Sequence, residues 1–157
     1  MSNTLVACFS PTGVTLEVAE VIVPLVSGEL FKIVPAVPYT AADLDWHNPE
    51  SRTSVEMKDS TCRPAIADQV VDMAQFQNVF LGFPVWWYDA PRIILTFLES
   101  YDFAGKNMFP FATSGSSGLG DIPKNLQTAC PVANWRPGIC LPGKPDMAKV
   151  TAWVRNQ

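Results

Sequence analysis

Short apolar runs separated by longer stretches of helical spacing recur along the chain, and this alternation most constrains its fold. A chain written that way resolves into βαβ units, a parallel sheet with helices packed on its faces. Leu5 to Phe9 is the first run. Ser10-Pro11-Thr12-Gly13-Val14-Thr15 follows at once, and Leu16, Ala19, Ile22 and Val23 then fall at helical spacing. Pro24 lacks the N–H that the helical ladder needs, so it predicts an end or a kink there. Leu30 to Val34 predicts a second strand, Val79 to Phe83 a third and Met108 to Ala112 a fourth, with Pro110 inside it.

Helices are predicted from Ala65 to about Ala74, from Pro91 in a first turn to about Ser100, near Ile122 to Ala129, and from about Pro145 to Arg155. A weak strand near Gly138 to Leu141 completes five. Pro35 to Pro64 is different: polar, with Pro35, Pro38 and Pro49 and no sustained period, it predicts a long excursion, and such a loop in a compact domain is usually functional. No internal repeat or low-complexity tract interrupts the 157 residues, which suit a single domain over 1–157.

A net charge of -4 argues against a sequence-independent grip on nucleic acid or an anionic membrane surface. No apolar stretch approaches the ~18–20 residues needed to span a bilayer, and Leu5 to Phe9 is too short for a signal-peptide core, so a soluble, cytoplasmic protein is expected. Cys8, Cys62, Cys130 and Cys140 are scattered, without a C-x-x-C pair or a histidine at metal-ligand spacing. They are expected to be free thiols, Cys8 and Cys140 acting as small hydrophobes in strands.

In an open parallel sheet, ligands bind beyond the carboxyl ends of the strands, where the strand order reverses. Three strand ends carry unusual residues. After the first, Ser10, Thr12 and Thr15 offer hydroxyls, Gly13 lets the backbone turn, and Val14 starts a helix whose positive end lies on the same spot. No Lys or Arg lies between Cys8 and Val26, and neither a Walker loop nor G-x-G-x-x-G is present, which favours one phosphate monoester over a polyphosphate. A plain serine/threonine helix cap is the alternative reading of the same residues. After the third strand comes Pro84-Val85-Trp86-Trp87-Tyr88, aromatic planes suited to a flat ring system. Side-chain alternation predicts Trp87 toward a ligand and Trp86 into packing. After the fourth, Thr113-Ser114-Gly115-Ser116-Ser117-Gly118 could hydrogen-bond a polar ring edge, or be an ordinary surface turn.

Together these loops resemble the flavodoxin family. Ser10-Pro11-Thr12-Gly13-Val14-Thr15 is similar to its [ST]-x-T-G-x-T phosphate loop, and Gly82-Phe83-Pro84-Val85-Trp86-Trp87 resembles the first flavin-flanking loop of a bacterial subgroup. Pro110-Phe111-Ala112-Thr113-Ser114-Gly115 with Ser116-Ser117-Gly118 resembles that subgroup's second flavin loop. The resemblance implies a flavodoxin-like α/β three-layer sandwich of the short type, with a five-stranded parallel sheet of order 2-1-3-4-5. It also implies non-covalent FMN, with the phosphate on Ser10, Thr12, Gly13, Val14 and Thr15. Pro84, Val85, Trp86 and Trp87 would flank the ring, and Thr113, Ser114, Gly115, Ser116 and Gly118 would reach its polar edge.

One departure stands out. Many electron-carrier flavodoxins stack a tyrosine from the loop after the fourth strand, and no aromatic residue lies between Thr113 and Gly120 here. Either Tyr39 or Trp46 of the excursion covers that face, or the face is open to a substrate. The readings that follow are an electron carrier with a redox partner protein, a reductase linking a nicotinamide cofactor to a quinone or similar small molecule, and a binding module that has kept only the fold. In the redox readings the flavin carries the chemistry, so no catalytic side chain is expected. The family's reductases are often dimers, which makes a homodimer possible. His47, the sole histidine, reads as a solvated loop residue, while Arg52, Glu56 and Arg63 are expected to brace the excursion. Its acidic excess (Asp43, Asp45, Glu50, Glu56 and Asp59 against Arg52 and Lys58) would lower a flavin's reduction potential if it lay near the ring.

Overall fold

Alternation along three central strands sorts the apolar residues into two cores, one on each side of a sheet. A computed structural model describes residues 3–157. In β1 (Thr4–Cys8), Leu5 and Ala7, continued by Phe9, face one core, while Val6 and Cys8 face the other. The same split runs through β3 (Asn78–Pro84), with Val79, Leu81 and Phe83 against Phe80, and β4 (Asn107–Ser114), with Met108 and Ala112 against Phe109 and Phe111. A strand buried on both faces has to be covered twice, which is why its sequence reads as an unbroken apolar run. Helices α1 (Val14–Val26) and α5 (Met147–Arg155) supply Val18, Ala19, Ile22, Val150 and Val154 to one side. Helices α3 (Arg92–Glu99) and α4 (Ile122–Ala129) supply Ile93, Ile94, Phe97, Ile122 and Leu126 to the other.

The pairing is parallel throughout, in the order β2-β1-β3-β4-β5 expected from the sequence, with β2 spanning Glu29–Lys32. The fifth strand comes in two pieces, β5 (Asn134–Trp135) and β6 (Ile139–Pro142), both paired to β4. Between them, β4 passes Phe109 and Pro110 while the partner passes Arg136, Pro137 and Gly138. Pro110 has no N–H to give a ladder, and the irregularity sits opposite it. A side chain at Gly138 would place Cβ 2.6 Å from the Pro110 carbonyl oxygen, so the close passage needs glycine.

Several local expectations are corrected. Helix α1 does not stop at Pro24; it runs through to Val26 and closes with Ser27 at φ 50° and a Gly28 N–H bond to Val23 O. Pro24 is exposed, so its ring faces solvent. No α-helix covers Ala65 to Ala74. Ile66 bridges antiparallel to Pro35, with Ala36 N donating to Ala65 O and Ala67 N to Val34 O, and only Met73–Gln75 makes a single 3₁₀ turn. Pairing with the segment after β2 overrides the helical spacing of Ile66, Val70 and Met73, as tertiary contacts commonly do. That pairing pinches off the excursion, which contains a helix the sequence did not signal, α2 (Arg52–Lys58), capped by Ser51 Oγ accepting from Ser54 N. Among the described residues all four cysteines are free, and no helix is long and apolar enough to cross a membrane.

Candidate functional site

At the carboxyl end of β1 the chain turns on Gly13, whose φ of +91° is left-handed and open to space where a Cβ would lie. This starts α1 with its first N–H groups lacking intrahelical acceptors. Ser10 Oγ accepts from Leu16 N at 3.0 Å, which leaves its own proton to donate. Thr12 and Val14 are exposed beside Gly13, while Thr15 is buried and shares a 2.7 Å hydroxyl bond with Thr113 at the end of β4. That bond joins two of the three loops singled out in the sequence across 98 positions of chain.

The third loop meets them from β3. Pro84 closes the strand opposite Thr113, and Val85 N donates to Thr113 O at 2.8 Å. The chain then makes a tight turn in which Trp86 and Asp89 exchange backbone hydrogen bonds. Trp86 lies half-buried, edge-on to Phe9 and Tyr39 at centroid distances of 5.5 Å. Trp87 is exposed. Ser114 Oγ donates to Ser117 O and fixes the bend of the β4 loop, with Cys140 Sγ 3.3 Å from the same carbonyl.

Between these loops lies a cleft of about 360 Å³. Val85, Trp86, Trp87 and Tyr88 form one side, Gly115, Ser116 and Ser117 another, and Leu44, Trp46 and Thr53 of the excursion the third. Among the described residues, no charged side chain lines it. Ser10 opens instead onto a neighbouring cleft of about 210 Å³ with Cys8, Phe9, Lys32 and Tyr39, and Gly118 lines neither. Leu44, Thr53 and Tyr88 were not singled out as site residues in the sequence. For the first two no signal was available, because the excursion has no period; Tyr88 stood beside the tryptophans and was read only as part of an aromatic cluster.

Of the two excursion aromatics weighed for the open face, Trp46 reaches the cleft and Tyr39 does not. Trp46 is 65% exposed and stacks on His47 at 3.8 Å, with Asp45 3.6 Å from the imidazole. Tyr39 instead locks the excursion down. Its hydroxyl donates to Glu56 Oε1 at 2.6 Å, Arg52 Nε donates to Glu56 Oε2 at 2.9 Å, and the Arg52 guanidinium lies 3.7 Å over the Tyr39 ring. Burial, and then the bond to the Glu56 carboxylate, pushes the Tyr39 phenol well above its ordinary range. Arg92 Nη2 donates to Met57 O at 2.9 Å and ties α3 to the end of α2, and Arg63 bonds Glu99 at 2.7 Å. The expected bracing by Arg52, Glu56 and Arg63 is thus present, and the Glu56 charge is engaged by Arg52 rather than free.

The family model described as Flavodoxin matches residues 3–157. The chain belongs to the flavodoxin family. A protein from Bacteroides uniformis, provisionally named a flavoprotein, is 49% identical over 98% of each chain, with a TM-score of 0.93. Another so named, from Bacteroides eggerthii, is 45% identical over 99% of this chain and 98% of its own, with a TM-score of 0.92. A flavoprotein from Lactobacillus acidophilus, solved in complex with FMN, shares the fold at 20% identity and a TM-score of 0.73, over 89% of this chain and 93% of that one. No curated protein matches the chain significantly.

Proposed function

We propose that this chain holds FMN non-covalently and moves electrons through it. FMN is the cofactor that membership of the flavodoxin family implies, and the residues present fit it. A left-handed glycine with open space above it, hydroxyls from Ser10 and Thr12 and the N-terminal end of α1 make a neutral cradle for one phosphate monoester. The uncharged, aromatic-walled cleft suits a flat ring, and the observation that carries the reading is the Thr15–Thr113 bond, which joins the cradle to the loop beside that cleft.

When bound, the flavin supplies the redox chemistry. The chain's own part is placement. Trp87 and Val85 wall one side of the ring cleft, the Gly115 to Ser117 backbone offers donors and acceptors to a polar edge, and Thr53 and Trp46 limit access by water. The Lactobacillus relative, solved with FMN, supports the assignment, and the two Bacteroides proteins support a flavoprotein role.

A protein redox partner suits one-electron carriage, and a small-molecule acceptor suits two-electron reduction. The exposed Trp46 and Tyr88 at the rim favour the second. The deciding experiment is an absorption spectrum of the purified protein, FMN added if it is colourless, during stepwise anaerobic reduction. Flavin bands that disappear in two resolved one-electron stages identify a carrier. Loss in one two-electron stage identifies a reductase, to be assayed next with a nicotinamide cofactor and quinones. Absence of flavin bands together with failure to quench FMN fluorescence refutes the proposal and leaves a binding module with the fold alone.

A further inference from the structure

Two of the three walls of the ring cleft come from segments far apart in the chain, and one side chain outside the cleft meets both. Val85 to Tyr88 belong to the turn after β3, in which Trp86 N donates to Asp89 O at 2.9 Å and Asp89 N to Trp86 O at 3.0 Å. Its central residues, Trp87 and Tyr88, have φ of 49° and 62°. Large side chains in the left-handed region crowd their own backbone, so such a turn persists only where its surroundings impose it. Leu44, Trp46 and Thr53 form the wall from the excursion. Thr53 N donates to Asp43 O at 3.1 Å and Ser54 Oγ to Asn48 O at 2.7 Å, so the loop carrying Leu44 and Trp46 is fastened to α2 on both sides.

Arg92 joins the two segments. It opens α3, whose Ile93, Ile94 and Phe97 are fully buried, so its guanidinium is carried on a rigid element. Nη1 lies 3.6 Å from Asp89 Oδ2, Nη2 donates to Met57 O at 2.9 Å, and Nε donates to Glu56 O at 3.4 Å. Asp89 Oδ1 accepts from Ala90 N at 2.8 Å and from Asn125 Nδ2 at 3.2 Å, which fixes the carboxylate with Oδ2 toward Arg92. One planar group thus meets the strained turn on one edge and the last turn of α2 on another, which a single ammonium cannot do. Neither Arg92 nor Asp89 is among the described residues lining the ring cleft. Both line a separate cleft of about 210 Å³, with Ser60, Leu95 and Asn125.

We propose that Arg92 is a positioning residue that sets the spacing between these two walls, and so the fit of the flavin between them. It acts through Asp89 on the Trp87–Tyr88 turn and through the Glu56 and Met57 carbonyls on α2. The proposal rests on the FMN reading of the ring cleft.

The test is chemical rescue. In Arg92→Ala the place of the guanidinium opens onto the separate cleft, so millimolar methylguanidinium chloride can enter it, with methylammonium chloride as the control. FMN affinity, read by fluorescence quenching, is expected to fall about tenfold in Arg92→Ala and in Arg92→Lys, as for the loss of a hydrogen bond to a charged group. Methylguanidinium should restore Arg92→Ala to within about threefold of wild type, and methylammonium should not, because only the planar fork spans both segments. At saturating FMN, the visible circular dichroism of the bound flavin should change in Arg92→Ala and return with methylguanidinium; a residue that only adds stability would leave it as in wild type. Asp89→Asn should weaken FMN binding in the same direction and add little in an Arg92→Ala background, because the two act through one link. Unchanged affinity and dichroism, equal rescue by methylammonium, or fully additive losses overturn the proposal. Should Arg92→Ala fail to fold, the affinity and dichroism of Arg92→Lys decide in the same way. If wild type takes up no FMN, the cofactor reading fails separately, and amide exchange of the FMN-free proteins decides the role of Arg92. Protection at Asp89 and across α2 should then fall together in Arg92→Ala and return together with methylguanidinium, whereas loss in only one of the two segments overturns the link.

Discussion

Gly82 is the position where one added carbon should be felt most sharply. It lies in β3 between Cys8 of β1 and Phe111 of β4, and Phe9 N donates to its carbonyl at 3.0 Å immediately before the Ser10 to Thr15 loop. A Cβ placed there stands 2.2 Å from both Cε2 and Cζ of the fully buried Phe111 ring. Carbon atoms rest at about 3.5–4.0 Å, so in Gly82→Ala the ring has to retreat by roughly 1.3 Å or more into a packed core. Overpacking of this kind costs about 1–3 kcal/mol, and the gain of alanine over glycine in a strand returns about 0.5–1 kcal/mol. A net loss of about 1–2 kcal/mol corresponds to a fall of roughly 2–8 °C in melting temperature for a domain of this size. Calorimetry of the single variants Gly82→Ala and Phe111→Leu and of the double variant checks the cause. Leucine is smaller than the ring that clashes, so the double variant should be more stable than the sum of the two losses by about 1 kcal/mol. Simple additivity, or a Gly82→Ala protein that melts at or above the wild-type temperature, would refute the steric argument.

Thr113→Val leaves the buried Thr15 hydroxyl without its partner, at a cost of about 1–3 kcal/mol in stability. The Thr15→Val/Thr113→Val pair should recover most of that loss in thermal melts, while FMN affinity by fluorescence quenching stays weakened because the tie between phosphate loop and ring loop is apolar. Tyr39→Phe removes a bond to a charged carboxylate and should cost about 1.5–3 kcal/mol, read by urea denaturation. It should also loosen the excursion, visible as faster proteolysis between Tyr39 and Arg63. Burial, aided by the charge of Glu20, raises the Cys8 thiol from 9.0 to about 12. Its unfolded form therefore releases a proton that the folded form keeps, and stability should be undiminished by this group below pH 9 and decline from pH 9 to 12. The raised Tyr39 phenol adds to the decline above pH 10. Alkaline melts of wild type and Cys8→Ala separate the two, and a Cys8→Ala protein with the same slope between pH 9 and 10 would refute the thiol's part.

What the sequence determined by itself follows from local rules. Unbroken apolar runs at Leu5 to Phe9, Val79 to Phe83 and Met108 to Ala112 specify strands buried on both faces, because only such strands can do without polar alternation. The order of runs and helical stretches then specifies the doubly covered parallel sheet. The three loops were legible too, since hydroxyls, glycines and adjacent tryptophans at strand ends stand out against ordinary turn composition. Tertiary structure decided what depends on contacts between distant positions. Ala65 to Ala67 pairs with Val34 to Ala36 rather than coiling, and Pro110 selects the break between β5 and β6. The polar excursion had no period to read, because its order comes from Tyr39, Arg52, Glu56 and Arg92 meeting across 53 positions of chain, not from spacing along it. Only that closure brings Trp46 and Thr53 to the cleft, and only the backbone reveals that Trp87 and Tyr88 occupy a left-handed turn. Local sequence chooses among helix, strand and turn; which side chains share a wall depends on the long-range contacts that close the fold.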